Sequence, residues 1–181
     1  GLTVSHNLTV VPEMMWVKRR DNTDIWAVYT EATGNTGFLR LNDTNTLTIT
    51  SVSWNNTSPT STVFTLGNYA AVNTNNSTYI AYLFATLDGI SKVGSYTGTG
   101  ADLVVNCGFT SGARFVLIKR TDGTGPWLLF DVLRGITTAS TDGIIKLNVN
   151  DASQTEAYYG GANMIEPSSY GFKLTSDGEL N

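Results

Sequence analysis

The stretch "FVLIKRTDGTGPWLLFDV", Phe115 to Val132, repeats the plan of "MMWVKRRDNTDIWAVYTE", Met14 to Glu31. Trp127 stands 101 positions after Trp26, and Lys119, Arg120 and Asp122 stand 101 positions after Lys18, Arg19 and Asp21. Each phrase is an apolar run, a Lys-Arg-x-Asp rim and a run opened by tryptophan. That describes a β-hairpin with charge at its tip, its tryptophan expected to pack toward the core. Further on, "LRLN" ending at Asn42 matches "IKLN" ending at Asn148 at an offset of 106. "VFTLG" around Phe64 matches "GFKLT" around Phe172 at an offset of 108. The order is kept and the offset drifts only by loop-sized insertions, so the chain reads as an internal duplication. Two copies are too few for a solenoid. They predict a single β-sandwich domain over 1–181 with halves of about 1–88 and 89–181, and two small packed sandwiches are the alternative.

The sequence between these phrases agrees. Thr, Asn, Ser and Gly crowd it, and these are turn and strand residues, poor in helix interiors. Short apolar runs recur at Met14–Val17, Ile25–Tyr29, Phe38–Leu41, Leu47–Val52, Val63–Leu66 and Tyr79–Ala85. They continue at Val93–Tyr96, Leu103–Cys107, Phe115–Ile118, Trp127–Val132, Ile144–Leu147 and Gly171–Leu174. Turn clusters such as "DNTD", "GNTG", "TGTG" and "SDG" separate them. The pattern predicts an all-β fold, an antiparallel β-sandwich of the jelly-roll or concanavalin-like kind. Only Val149–Gly161 has room for a helical turn, and it lacks helical periodicity.

Composition narrows the function classes. The 181 residues are 41% hydrophobic and 14% charged with net charge −4, which is a globular composition. No basic stripe is present, which argues against a nucleic-acid partner. No run is long enough for membrane insertion. The single cysteine, Cys107, reads as a small core residue and forms no disulfide framework. His6, the one histidine, is expected to anchor the first strand by hydrogen bonds. One His and one Cys cannot build a metal site, and the Asp- and Asn-rich turns lack the spacing of a calcium loop. A glycosidase needs two facing carboxylates roughly 5–10 Å apart, whereas Glu13, Glu31, Glu156, Glu166 and Glu179 lie on separate segments. The expectation is therefore no catalytic residue, no metal and no cofactor. Asp131 and Arg134 read as a local ion pair, and the Lys18/Arg20 and Lys119/Arg120 pairs as solvated strand ends that guard a sheet edge.

Binding is more open. Sugar-binding sandwiches stack ligands on exposed aromatics and orient hydroxyls with Asn and Asp. Trp54 in "SVSWNNTS", Tyr69 in "GNYAAVN" and the pair Tyr158 and Tyr159 in "EAYYGG" lie in polar, loop-like settings. They are the candidate ligand-binding residues, against the plainer reading that each packs over its loop onto the sandwich.

One resemblance bears on context. "SHNLTVVPEMMWVKRR" is similar to a His-x-Leu-x-x-x-Pro motif of tail-fibre and appendage proteins of tailed phages, carried here by His6, Leu8, Pro12, Met14, Met15 and Lys18. "TYIAYLFATLDGISKVGSYTGTGAD", "GFTSGARFVLIKRTD", "WLLFDVLRG" and "YGFKLTSDG" resemble a domain family of unknown function found in marine phage virion proteins. The resemblance implies a non-enzymatic structural or adhesive component located in the virion. Its expected partners are other virion proteins, further copies of itself in a homo-oligomer such as a trimer, and a host-surface glycan. A carbohydrate-binding module is the first alternative and a polysaccharide-degrading enzyme the second. Two departures stand out. Ala113 sits where the family often has proline, and no tyrosine-rich strand like "TYIAYLFA" follows "GFKL" before Asn181. The expectation drawn from the second is that the chain ends one strand short, with an open edge beside Gly171–Leu174 that a neighbour fills.

Overall fold

The structure, a computed structural model, describes residues 1–139, 141–149, 152–156, 163–176 and 180–181. It is all-β, and its paired strands run antiparallel. Helix among the described elements amounts to one short 3-10 turn, Glu31–Thr33, capped by the Thr30 side chain. The chain divides into two compact units, Gly1–Thr86 with Thr121–Gly125, and Leu87–Arg120 with Pro126–Asn181.

The first unit holds β1 (Leu2–Ser5), β2 (Met14–Arg19), β3 (Trp26–Thr30), β4 (Gly37–Arg40), β5 (Thr48–Ile49), β6 (Val63–Leu66) and β7 (Tyr79–Phe84). Five strands form a sheet in the order β5-β4-β3-β2-β7, and β1 pairs with β6 in a second. Side chains alternate across a strand, so Met15 and Val17 of β2, Ala27 and Tyr29 of β3 and Phe38 of β4 share one face. They form a core with Phe64 and Leu66 of β6, closed by Trp54 and Val72 from loops and edged by Val4 of β1. Burying each large apolar side chain stabilises the layer by about 1.5–3 kcal/mol. That makes the two sheets a sandwich.

The second unit holds β8 (Leu103–Asn106), β9 (Phe115–Lys119), β10 (Trp127–Asp131), β11 (Gly143–Lys146), β12 (Gln154–Thr155), β13 (Ile165–Ser168) and β14 (Gly171–Leu174). The sheet β12-β11-β10-β9 faces the sheet β13-β14-β8 across Val116, Ile118, Leu128, Phe130, Ile144, Ile165, Phe172 and Leu174.

Registers coincide between the units. Lys18 opposes Trp26 and Lys119 opposes Trp127. Ala27 opposes Arg40 as Leu128 opposes Lys146, and Gly37 opposes Ile49 as Gly143 opposes Thr155. Val4 opposes Phe64 as Val105 opposes Phe172. The backbone N–H of Trp26 donates to Asn42 Oδ1 at 2.9 Å, and that of Trp127 donates to Asn148 Oδ1 at 2.9 Å. The repeated asparagine thus holds the repeated tryptophan in both units.

Three expectations are corrected. The expectation for the tryptophans holds only in part: Trp127 is buried at 3% exposure but Trp26 only half-buried, and neither belongs to its unit's core cluster, where Ala27 and Tyr29, Leu128 and Phe130 take the positions. The edge beside Gly171–Leu174 is not open: β14 lies between β13 and β8. Val93–Tyr96 is not a strand; Tyr96 packs on the second core and donates to the Leu180 carbonyl at 2.9 Å.

Candidate functional site

The outward positions of β2 and β7 are aromatic. Trp16 opposes Tyr82 and Met14 opposes Phe84 across the ladder, which brings the rings of each pair's strands onto one face. Trp16 lies 4.8 Å from Phe84 and 6.4 Å edge-on from Tyr82, and Trp26 stacks on Tyr82 at 6.3 Å with 21° between planes. Such pairs contribute about 0.5–1.5 kcal/mol each. Tyr82 is 43% exposed and Ile80, two positions along the same face, is 39% exposed. Beside them the Lys18 ammonium reaches the Arg19 carbonyl at 2.8 Å. The Trp16 Nε1–H is buried without a partner among the described residues. Together they make a partly open aromatic face with a cation at its end, suited to the apolar side of a sugar ring or to an aliphatic side chain.

Glu13 fastens this face. Its Oε2 accepts from the Thr86 N–H and hydroxyl, both at 2.6 Å, tying the exit of β7 to the entry of β2. Other carboxylates also tie loops. Asp131 accepts from the Leu133 and Arg134 N–H groups at 3.0 Å and pairs with the Arg134 guanidinium at 2.6 Å, as expected for that pair. Asp142 accepts from the Thr137 hydroxyl at 2.8 Å and from its N–H. Lys173 bridges Asp102 at 2.7 Å and Glu166 at 2.9 Å, which holds the Asp102 carboxyl below its usual range. Glu156 is fully buried; its Oε1 accepts from the Met164 and Ile165 N–H groups at 3.0 and 3.1 Å. Burial pushes its carboxyl up to about 7, against the pull of those two donors, with Asp142 and Glu166 adding to the rise.

The sequence-based candidates fare differently. Trp54 is fully buried: its Nε1–H donates to the Gly37 carbonyl at 2.8 Å and its ring meets Tyr29 edge-on at 5.7 Å. It fills the core of the first unit and cannot serve as a stacking platform. Tyr69 is half-buried and tilts against Phe38 at 5.4 Å. Tyr158 and Tyr159 lie outside the described residues. His6 behaves as expected, donating from Nε2 to the Thr60 carbonyl at 3.1 Å and accepting at Nδ1 from the Leu8 N–H at 3.2 Å. Trp16, Tyr82 and Phe84 are not among those candidates, and Trp26 enters the sequence reading only as a core residue. The signal for them was present as alternation, Met14-x-Trp16-x-Lys18 against Ile80-x-Tyr82-x-Phe84.

The second unit has a cleft of about 320 Å³, lined by Ser111, Gly112, Arg114, Val132, Pro167 and Ser169 among others. Its lining is hydroxyl and apolar with one guanidinium. Among the described residues no group of three His, Cys, Asp or Glu side chains is placed to hold a metal ion.

Fold and surface together define a class: a duplicated antiparallel β-sandwich whose distinctive face is an aromatic sheet edge. The chain belongs to a family described as a domain of unknown function (DUF7483), whose model matches residues 1–181. No curated protein and no solved structure matches it.

Proposed function

We propose that this chain is a non-enzymatic structural and adhesive module of a tailed-phage particle, carried in the virion and assembled with other virion proteins and further copies of itself. The coincident strand registers of the two units support an internal duplication, and the jelly-roll-like character of such modules belongs to the same reading. The observation that carries it is the use made of acidic side chains: Glu13, Asp131, Asp142, Glu156 and Glu166 each bond to a loop or strand partner. Carboxylates spent on holding loops suit a rigid attachment module. The phage context rests on the likeness carried by His6, Leu8, Pro12 and Lys18. Cryo-electron microscopy of intact particles tests it: this fold is expected in density on the particle exterior, and a purified particle without the chain contradicts the reading.

A second reading, glycan binding, is favoured by the aromatic face of Trp26, Tyr82 and Ile80. On a glycan array it predicts specific binding that Tyr82→Ala removes; an array without hits contradicts it.

A further inference from the structure

In the first unit, β2 lies between β3 and β7. Its equivalent in the second unit, β9, pairs with β10 on one side, and among the described residues no strand pairs with the other. The direction of the unpaired groups follows from the ladder. The Val132 N–H donates to the Arg114 carbonyl at 3.1 Å, so Arg114 faces β10 and, by alternation, so do Val116 and Ile118. The N–H and C=O of Phe115 and Leu117 therefore point to the other side. These are the positions equivalent to Met14 and Trp16. In the first unit that parity turns toward β7, as the Arg20 N–H donating to the Thr78 carbonyl at 2.8 Å shows. On this strand the Phe115 side chain is 59% exposed and that of Leu117 half-buried.

We propose that the outer edge of β9 accepts an added antiparallel strand of β7's chemistry, an extended peptide that is neutral along its length and alternates aromatic with small or aliphatic residues. The first unit supplies the register: Phe115 opposes the position that Phe84 holds against Met14, and Leu117 the position that Tyr82 holds against Trp16. One difference sharpens the partner's identity. At the position of Glu13, whose carboxylate grips Thr86 at the end of β7, the second unit carries Arg114. The incoming strand accordingly ends on an acidic residue, which pairs with that guanidinium. A second copy of β9 is the wrong occupant, because self-pairing gathers Arg114, Lys119 and Arg120 of both copies along one short ladder.

The test uses the full chain and a labelled synthetic peptide of sequence Ser77–Thr86 carrying Thr86→Glu. Binding is expected as a rise in fluorescence anisotropy, with amide exchange at Phe115 and Leu117 slowed at least about tenfold. The same peptide carrying Thr86→Lys is expected to bind about fivefold more weakly. The chain variant Arg114→Glu, altered at an exposed side chain, is expected to reverse that preference. Three results overturn the proposal. One is no binding of either peptide, and another is a preference unchanged in Arg114→Glu. The third is Phe115 and Leu117 amides already slow without peptide, whether from the chain's own cover or, if the slowing grows with protein concentration, from a second copy.

Discussion

Glu156 is the residue whose chemistry departs furthest from its surroundings. A carboxyl held at about 7 in the folded chain, against 4.5 when unperturbed, binds its proton more tightly folded than unfolded. Its contribution is therefore complete below pH 4.5 and is lost as pH rises through 7, an effect of about 3 kcal/mol. Urea midpoints at pH 5 and pH 8 are expected to show the chain more stable at pH 5, and Glu156→Gln to remove most of the difference. An unchanged difference in Glu156→Gln would show that the proton sits elsewhere. Asp102 acts oppositely and in a lower window: its lowered carboxyl favours the fold above the usual Asp range and stops doing so in acid. Trp54 makes a second residue-scale prediction. Trp54→Ala removes a fully buried ring and leaves the Gly37 carbonyl without its donor, so the loss is expected near 3–5 kcal/mol by denaturant unfolding. Tyr82→Ala, on a ring 43% exposed with two aromatic neighbours, is expected to cost about 1–2 kcal/mol, clearly less than Trp54→Ala. Equal losses would contradict this assignment of inside and outside. The two aromatics also mark what could be read from sequence. Trp54 is surrounded by Ser, Asn and Thr, so its local composition says loop, and nothing local says that the loop folds back onto the sheet. Burial there is a tertiary fact. Tyr82 sits in an alternating strand, so its outward parity was available in the chain.

At the scale of elements, strand positions were legible wherever apolar runs met turn residues, as β2, β3, β6, β9, β10 and β14 show. The misses have physical reasons. Pro167 lies inside β13 and lacks a ladder donor, which argues against a strand unless it lies at an edge, as β13 does. The run Leu47–Val52 shrinks to β5, Thr48–Ile49, where only two residues find partners on β4. The resemblance implies a tyrosine-rich strand after β14 and hence an open edge there, whereas in the first unit the strand that follows β6, β7, pairs with β2 and not with β6. Order along the chain does not report order across a sheet. The matched asparagines give a prediction at this scale. Asn42→Ala and Asn148→Ala each remove an acceptor 2.9 Å from a tryptophan N–H, and each is expected to cost about 1 kcal/mol. Faster amide exchange at Trp26 and Trp127, respectively, would check it; a loss in one variant alone would mean that the two asparagines do different work.

Across the molecule, the chain is one strand plan written twice, with each unit closed around its own apolar core. The units differ where β7 completes the first sheet and, among the described residues, no strand pairs with the outer side of β9. That difference links architecture to the proposed role, because a sheet edge with outward backbone groups is a template for further strands. Residue-resolved amide hydrogen exchange on the dilute full chain tests the plan most directly. Equivalent positions whose ladder partner is present in both units are predicted to share their protection, as Val17 with Ile118 and Ala27 with Leu128. Phe115 and Leu117 are predicted to exchange fast while Met14 and Trp16 exchange slowly. Protection that differs between Val17 and Ile118 or between Ala27 and Leu128, or slow exchange at Phe115 and Leu117 in the dilute chain, would contradict the account.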